Sequence, residues 1–291
     1  MSALAEAIPG ARRGARRVHR RLIWWSVPVG LFAVAAVAGP IVVPYDAVTV
    51  HLADRLAPPG AVLSNGTRAW LGTDQVGKDL LAQVLQGARI SLQVGVATIV
   101  VAGLIGLIIG VAAGSQGKWF DALVMRLADL QLAFPSILLA ILIAAVLGRS
   151  VANVIITLSV TRWVTYARIA RASTLMIKER EFITAAQATG VGGFRLVYRH
   201  IVPFTLTPLV VVATVELGLV MLAEASLSFL GLGTTPASPS WGLVIANGRD
   251  YLTNGWWIST IPGVVLSLVV VSVGQFGDAV RDALDPRAGA A

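Results

Sequence analysis

The chain has 291 residues, of which 56% are hydrophobic and only 13% are charged, whereas charged residues make up about a quarter of an ordinary soluble domain. This composition excludes a disordered chain, and the absence of Cys excludes disulfides, thiolate metal sites and a cysteine nucleophile. The net charge of +8 would suit nucleic acid only on a water-soluble basic face. We therefore predict a membrane protein that binds no nucleic acid.

Long apolar stretches predict the membrane spans, because a bilayer core takes about 20 mostly apolar residues in an α-helix. Four stretches carry no charge at all, and two more are interrupted, one by Arg162 and the other by Glu216 and Glu224. We expect these polar residues to face the protein interior or an aqueous path. The sequence predicts an all-α membrane protein with about six transmembrane helices, at 22–43, 91–113, 123–147, 151–170, 205–230 and 257–277.

The distribution of Lys and Arg predicts that both termini are cytoplasmic. The segments on that side carry sixteen of these residues and the opposite side carries six. Anionic-lipid binding is a second use for the six N-terminal arginines. A cleavable signal peptide is the alternative for the first span, although its apolar run exceeds the usual length of about 7 to 15 residues. The predicted divisions are a basic N-terminus (1–21), a first transmembrane helix (22–43), an extracytoplasmic segment (44–89), a five-helix domain (90–278) and a cytoplasmic tail (279–291).

Catalytic motifs are absent from the sequence. It has three His, no H-E-x-x-H and no G-x-S-x-G. The segment 72–79 matches the spacing of a phosphate-binding loop, but Asp79 stands where Ser or Thr would hold Mg²⁺ and would repel phosphate. We expect no catalytic, cofactor or metal site in this chain, so any ATP must be bound by a partner.

The predicted cytoplasmic link 172–203 is too polar to cross the membrane and is patterned as two short helices. The first runs from Lys178 to Thr189 and ends at Gly190, whose backbone freedom suits a helix end. The second starts near Gly193 and is ended or kinked by Pro203. The apolar faces predicted for the two helices are Phe182, Ala185, Ala186 and Thr189, and Phe194, Val197, Tyr198 and Ile201. Such helices lie on lipid or dock into a partner, and the small residues of the first favour protein contact.

Two parts of this link resemble the EAA loop of ABC importer permeases, the element that docks on the ATPase subunit. They are Thr184-Ala185-Ala186 followed by Gly190, and His200-Ile201-Val202-Pro203. Thr184 replaces the leading Glu of the family, and Val202 stands where Leu is common. The residues that we assign to ATPase coupling through this resemblance are Thr184, Ala185, Ala186, Gly190, Phe194, Tyr198, His200 and Pro203.

Further motifs resemble the second permease subunit of dipeptide and oligopeptide ABC importers. They are Leu71-Gly72-Thr73-Asp74, Ala133-Phe134-Pro135-Ser136, the segment from Ala223 to Gly233, Pro239-Ser240-Trp241-Gly242 and the segment from Arg281 to Arg287. The resemblance implies the type I ABC importer permease fold with a cytoplasmic coupling helix, in the bacterial plasma (inner) membrane. It also implies a second homologous permease subunit, two ATP-binding subunits that carry ATP and Mg, and an extracytoplasmic substrate-binding protein. Peptides would pass between the two permeases.

Polar residues at membrane depth are the candidates for the transport path. Glu216 and Glu224 are eight residues apart, which places them about two helical turns apart on similar faces. We hypothesise that Glu216 lines the path, while a capping or interhelical role is the alternative, above all for Glu224. Arg126 and Asp129 are spaced i, i+3 and are predicted to form a structural ion pair, with substrate contact as the alternative.

Other features leave two readings each. The tryptophans Trp241, Trp256 and Trp257 lie in or beside the predicted extracytoplasmic segment 231–255, where they suit either a docking surface for a binding protein or a belt at the lipid headgroups. Gly106 and Gly110 predict a close helix contact, either within the subunit or between subunits.

Other functions remain open at this stage. A nickel-complex or other small-solute importer would share these motifs. A stand-alone channel or secondary transporter would require broken helices with midplane charges, for which the sequence shows no strong repeat. A membrane-embedded enzyme would require a Ser-His or carboxylate pair at membrane depth, and His200 lies in the loop.

Overall fold

The computed structural model describes residues 9–42 and 47–284, and within them the fold is all-α, as predicted. The helices are α1 (Pro9–Val42), α2 (Leu80–Gln116), α3 (Lys118–Leu132), α4 (Ser136–Leu147), α5 (Val151–Lys178), α6 (Glu181–Ala188), α7 (Gly193–Leu196), α8 (Val202–Phe229), α9 (Trp241–Gly248) and α10 (Trp257–Leu284). Short 3₁₀-helices lie at Leu52–Asp54 and Arg249–Tyr251. The predicted N-terminus before residue 9 and the tail from residue 285 lie outside the described residues.

Four helices in the described part of the chain are long and apolar enough to cross a membrane. They are the part of α1 at Arg20–Gly39, then α2, the continuous helix Gly193–Phe229 and α10. A bent pair, α3 with α4, makes a fifth if the two form one span. The fourth predicted span corresponds to α5, which is not among them and carries Arg162, Arg168 and Arg171. Judged by helix length and apolarity, the described residues therefore contain four or five spans, whereas the sequence predicted six.

The predicted span 123–147 is wrong as a single helix. It is broken between α3 and α4, whose axes meet at 89°. Pro135 explains the break, because it has no N–H to continue the helix and disfavours the helical conformation at the preceding Phe134. The carbonyl of Pro135 then accepts from the N–H groups of Leu138 and Leu139 and so starts α4.

Close contact between α2 and α5 forms the centre of the molecule. A side chain at Gly106 would come within 2.4 Å of Tyr166 Cβ, and one at Gly110 within 2.3 Å of the Ala167 carbonyl oxygen. These glycines therefore let two backbones approach within one chain, which decides between the two predicted uses. Nearer the N-terminal end of α2, a second core joins α1, α8, α9 and α10 around the fully enclosed Trp241.

Pro203 does not end the second predicted short helix. The chain passes from α7 through a π-helical turn, Val197–Ile201, directly into α8, where Pro203 lies in the first turn. Proline has no N–H to continue the hydrogen bonding of a helix, and its ring would clash with the carbonyl one turn earlier in a regular α-helix. A π-turn widens the helix locally and so makes room for the ring. The coupling loop is thus joined to α8 without a hinge.

Candidate coupling loop and transport path

The predicted coupling loop is built around a small aliphatic core. Ile183 of α6 is 1% exposed and packs with Leu196 and Ile201 from α7 and the π-turn. Gly190 has φ +86°, a left-handed conformation that costs an L side chain about 1–2 kcal/mol. Its neighbour Val191 donates to the Ala186 carbonyl over 3.0 Å, which closes the end of α6. The predicted turn at Gly190 is present in the structure.

The outward face of α6 carries the first part of the motif. Thr184 and Ala185 are exposed, and Ala186 is half-buried against the core. Phe182 is 41% exposed and contacts the Phe204 ring of α8 at 5.3 Å between centroids. The sequence missed Ile183 as the buried residue because the apolar residues of this helix lie on both faces. The i, i+3 spacing of Ile183 and Ala186 was the signal for the inward face.

The outward face of the second short helix is aromatic. Phe194 is 83% exposed and Tyr198 is 68% exposed, and their rings stack with centroids 6.2 Å apart. Val197 and Ile201 point inward instead, so the four residues do not share one face as predicted. At the end of the loop, His200 is half-buried and Pro203 is exposed. The loop thus presents an unpaired apolar and aromatic surface.

Polar contacts attach the start of the loop to the helices beneath it. The guanidinium of Arg171 binds both carboxylate oxygens of Asp121, one of them at 2.6 Å from Nη2. Lys178 Nζ donates to the Gly114 carbonyl over 3.1 Å. Two-point Arg–carboxylate contacts restrict orientation as well as distance. These contacts join the C-terminal half of α5, from which the loop continues, to α2 and α3.

The predicted ion pair between Arg126 and Asp129 is wrong. Asp129 pairs with Arg168 of α5, while Arg126 is exposed. The i, i+3 spacing places Arg126 and Asp129 on neighbouring turns of α3. The Asp129 carboxylate nevertheless binds Arg168, whose long side chain extends from the adjacent helix α5. The pair therefore joins α3 to α5, in parallel with the contact of Arg171.

Glu216 faces a cation from the neighbouring helix. Its Oε2 lies 3.2 Å from Nη1 of Arg162, and the two side chains are 10% and 21% exposed. The hydroxyl of Tyr166 is enclosed on the same helix as Arg162 and has no hydrogen-bond partner within the described residues. Sequence reasoning assigned no role to Arg162, although a charged residue in an apolar helix almost always pairs with another polar group inside the protein. Arg162 and Glu216 therefore form an ion pair that joins α5 to α8.

Glu224 is 0% exposed and belongs to a hydroxyl cluster. It accepts from Ser228 over 2.6 Å and from Ser91 of α2 over 3.2 Å. Ser240, the N-cap of α9, donates in turn to Ser228 over 3.1 Å. This arrangement joins α2, α8 and α9 and leaves the Glu224 side chain with no exposed surface.

Hydrogen bonds attach segment 47–79, which precedes α2, to the helices. Trp257 Nε1 donates to the Thr73 carbonyl over 3.0 Å, and Thr73 Oγ1 donates to the Asp54 carbonyl over 2.6 Å. Segment 72–79, which has the spacing of a phosphate-binding loop, takes part in this attachment. Its last residue, Asp79, caps α2 by accepting a hydrogen bond from the backbone N–H of Ala82 over 2.8 Å. Burial raises the pKa of the Asp79 carboxyl.

Two of the three tryptophans considered for docking are inside the protein. Trp241 is 1% exposed and donates to the Val84 carbonyl over 2.8 Å, and Trp257 is 7% exposed. Trp256 alone of these three is exposed, at 52%. Their role as a docking surface is therefore wrong for Trp241 and Trp257, which hold the fold together.

Comparison with known proteins identifies the family. Residues 106–289 match the family described as "Binding-protein-dependent transport system inner membrane component". The chain belongs to this family. Its permease fold, a set of apolar helices interrupted by one amphipathic loop, is the one just described.

Curated relatives of this permease extend the match to most of the chain. The di/tripeptide transport system permease protein DppC of Pseudomonas aeruginosa (strain UCBPP-PA14) is 37% identical over 257 residues, 88% of this chain and 85% of the relative. The dipeptide transport system permease protein DppC of Alkalihalophilus pseudofirmus is 37% identical and covers 88% and 82%. The glutathione transport system permease protein GsiD of Escherichia coli O6:K15:H31 is 38% identical and covers 88% and 83%. The relatives are transport permeases of a multi-pass membrane family.

Proposed function

We propose that this chain is a permease subunit of an ATP-driven importer for di- and oligopeptides, and that it forms half of the transport path. The observation that carries the proposal is the coupling loop, whose aromatic face is exposed while its core is buried. The relatives named for dipeptides and tripeptides support the cargo. No observation favours a nickel-complex or other small-solute importer.

The proposed assembly contains a second homologous permease, two ATP-binding subunits and an extracytoplasmic binding protein. In it, ATP and Mg are bound by the partner ATPase subunits, and this chain performs no catalysis. Both termini and the coupling loop lie in the cytoplasm, and segment 47–79 lies outside. The excess of Lys and Arg on the side of the loop supports this orientation.

In the proposed coupling mechanism, the ATPase subunit holds the face formed by Thr184, Ala185, Phe194 and Tyr198. When the ATPase subunits close, the loop moves as a body because Ile183 and its neighbours form one core. The unbroken helix from Gly193 to Phe229 passes that motion into the membrane, where Glu216 meets Arg162. We keep Glu216 as the path candidate and assign Glu224 a structural role.

The test is purification of the tagged chain in mild detergent, followed by an ATPase assay with a peptide-loaded binding protein. We expect ATPase subunits and a second permease to copurify. A Phe194→Ala/Tyr198→Ala variant should lose most of the associated ATPase with unchanged thermal stability, because both rings are exposed. Trp119→Ala, at a ring 77% exposed on the same side, is the control. A chain that purifies alone and conducts solute in liposomes would overturn the proposal in favour of a channel or secondary transporter.

A further inference from the structure

The first helix, α1, is the least enclosed of the four apolar helices in the described part of the chain. Only 11% of its apolar stretch Arg20–Gly39 is buried, whereas the other three are between 28% and 39% buried. One side of α1 packs on the core through Phe32, whose ring lies 5.6 Å from that of Trp241 between centroids. Leu31 and Val34 are more than 60% exposed. Most of α1 is therefore left for lipid to cover.

Two arginines and two tryptophans lie together near the start of this apolar stretch. Arg20, Arg21, Trp24 and Trp25 line one recess on the surface of α1. Arg20 is exposed and has no ion-pair or hydrogen-bond partner within the described residues. Arg21 lies 3.7 Å from Asp282 of α10, in a pair that is itself largely exposed. Tryptophan is typical of the headgroup level of a bilayer, and arginine at that level attracts anionic headgroups.

An apolar cleft continues from this recess along the same helix. Its volume is about 300 Å³, it lies between α1, α2 and α10, and Pro28 lines both the recess and the cleft. Leu31 and Ala35 of α1 and Leu268 of α10 form part of its walls. The hydroxyl of Ser272, which also lies in the wall, already bonds to the Leu268 carbonyl. The described lining of the cleft thus offers hydrocarbon but no free hydrogen-bonding side chain.

We propose that the recess and the cleft, together called the lipid groove, bind one anionic phospholipid, with its phosphate at Arg20 and Arg21 and an acyl chain in the cleft. The length fits. Helix rise places Leu31 about 15 Å beyond Arg21, which is half of a bilayer core of about 30 Å. A chain anchored at the arginines therefore reaches the cleft within one leaflet. This site gives two of the N-terminal arginines the second use that the sequence left open.

The chemistry of the lipid groove favours this occupant over others. A peptide segment in the cleft would have to bury its backbone N–H and C=O groups against a wall without partners for them. A zwitterionic lipid would fill the cleft as well, but its headgroup has no net charge to meet two guanidinium groups. Only an anionic lipid uses both halves of the groove.

The test of the headgroup is native mass spectrometry of the purified chain with its copurifying subunits, titrated with phosphatidylglycerol or phosphatidylcholine of the same acyl chains. We expect the wild type to bind one phosphatidylglycerol about tenfold more tightly than phosphatidylcholine. In Arg20→Gln/Arg21→Gln the preference should fall below about threefold, because both charges are removed. Arg126→Gln, at an exposed arginine of α3 without a partner among the described residues, is the control and should keep the wild-type preference.

The test of the cleft uses two neighbouring positions on α1. Ala35→Phe fills the cleft and should weaken phosphatidylglycerol binding about tenfold, whereas Val34→Phe, at a side chain 62% exposed outside the cleft, should leave it unchanged. Both variants keep Arg20 and Arg21, so a difference between them reports the acyl chain alone.

Equal wild-type affinity for the two lipids would overturn the proposal, and this is the result expected if a partner subunit covers the groove. An unchanged preference in the double glutamine variant, or unchanged affinity in Ala35→Phe, would overturn it too. So would competition by soluble glycerol phosphate at the concentration of the lipid, because the arginines would then bind a free anion. If the double variant fails to assemble, Arg20→Gln, which breaks no ion pair, decides by the same preference. The assay needs neither peptide nor ATP, so its outcome is independent of the proposed function.

Discussion

The coupling loop and segment 47–79 both lie outside the spans, but they are built in opposite ways. Segment 47–79 turns its acids inward and is bonded to a buried tryptophan of α10, Trp257. The coupling loop has an aliphatic core and turns its aromatic rings outward. Segment 47–79 is therefore held by polar bonds to the helices, whereas the loop exposes an apolar and aromatic surface. Buried and hydrogen-bonded groups stabilise the fold, whereas an exposed apolar and aromatic surface is typical of a contact with a partner.

The largest effect is expected where segment 47–79 is attached. Trp257→Ala removes a buried ring and leaves the Thr73 carbonyl without its donor, so we expect a loss of about 3–5 kcal/mol in stability. Thermal unfolding of the purified protein measures it. Trp256→Ala, at the adjacent exposed ring, should cost under about 1 kcal/mol. Equal losses at the two positions would contradict the view that this segment is fixed by the buried ring.

Between the two regions, the pair of Arg162 and Glu216 should show the next largest effect. Neutralising either residue leaves the other charge largely enclosed and without a counter-ion. We therefore expect each single glutamine variant to lower the free energy of unfolding by about 1–3 kcal/mol, less than for a fully buried pair. The double variant should recover part of that loss. Thermal unfolding of all four forms measures the coupling energy. Additive losses would show that the two charges do not interact.

The same variants test the path hypothesis. If Glu216 lines the path, the double variant should be stable and yet take up peptide poorly. Unchanged uptake by a well-folded Glu216→Gln protein would refute the hypothesis and leave the pair a purely structural link between α5 and α8.

Much of the fold could be predicted from the sequence, because long apolar runs and charge distribution constrain membrane helices strongly. The break at Pro135 was not predicted, because the run 130–148 is apolar throughout and was interpreted as one helix. The proline interrupts the helix without lowering the apolarity of the run. Apolarity decides whether a segment prefers lipid, but it carries no information on where the helix axis bends. The difference in the number of spans has a second cause, the arginines of α5, which keep that helix out of the apolar set.

Within the candidate site, the turn at Gly190 could be predicted, but the orientation of the helices beside it could not. Ile183 rather than Phe182 is buried, because a helix that serves both a core and a partner has apolar residues on two faces. The partners of Asp129 and Glu216 depend on how α5 packs against α3 and α8. Spacing along one helix cannot give those distances.

A smaller effect on stability, but a specific one on function, is expected in the coupling loop. Gly190→Val places a β-branched residue at φ +86° and should cost about 1–2 kcal/mol locally. We expect ATP hydrolysis to become uncoupled from uptake, measured as ATP consumed per peptide transported in proteoliposomes. Gly192→Ala, where φ is −135° and no atom lies within 4 Å of the added Cβ, is the control. Full coupling in Gly190→Val would count against the assigned loop.

The smallest effect concerns the inward-facing acids of segment 47–79. The hydroxyl and N–H of Ser64 hold the pKa of Asp54 below its usual value. A carboxyl with a lowered pKa in the folded state stabilises the fold above its unfolded pKa of about 3.9 and loses that contribution as pH falls through the folded pKa. Ser64→Ala removes the hydroxyl bond, so its thermal midpoint should lie below that of the wild type at neutral pH and converge with it in acid. Ser267→Ala, at an exposed serine that bonds only its own helix, should run parallel to the wild type. If the Ser64→Ala curve also runs parallel to the wild-type curve, the hydroxyl of Ser64 does not stabilise the Asp54 carboxylate. Polar bonding would then not distinguish segment 47–79 from the coupling loop.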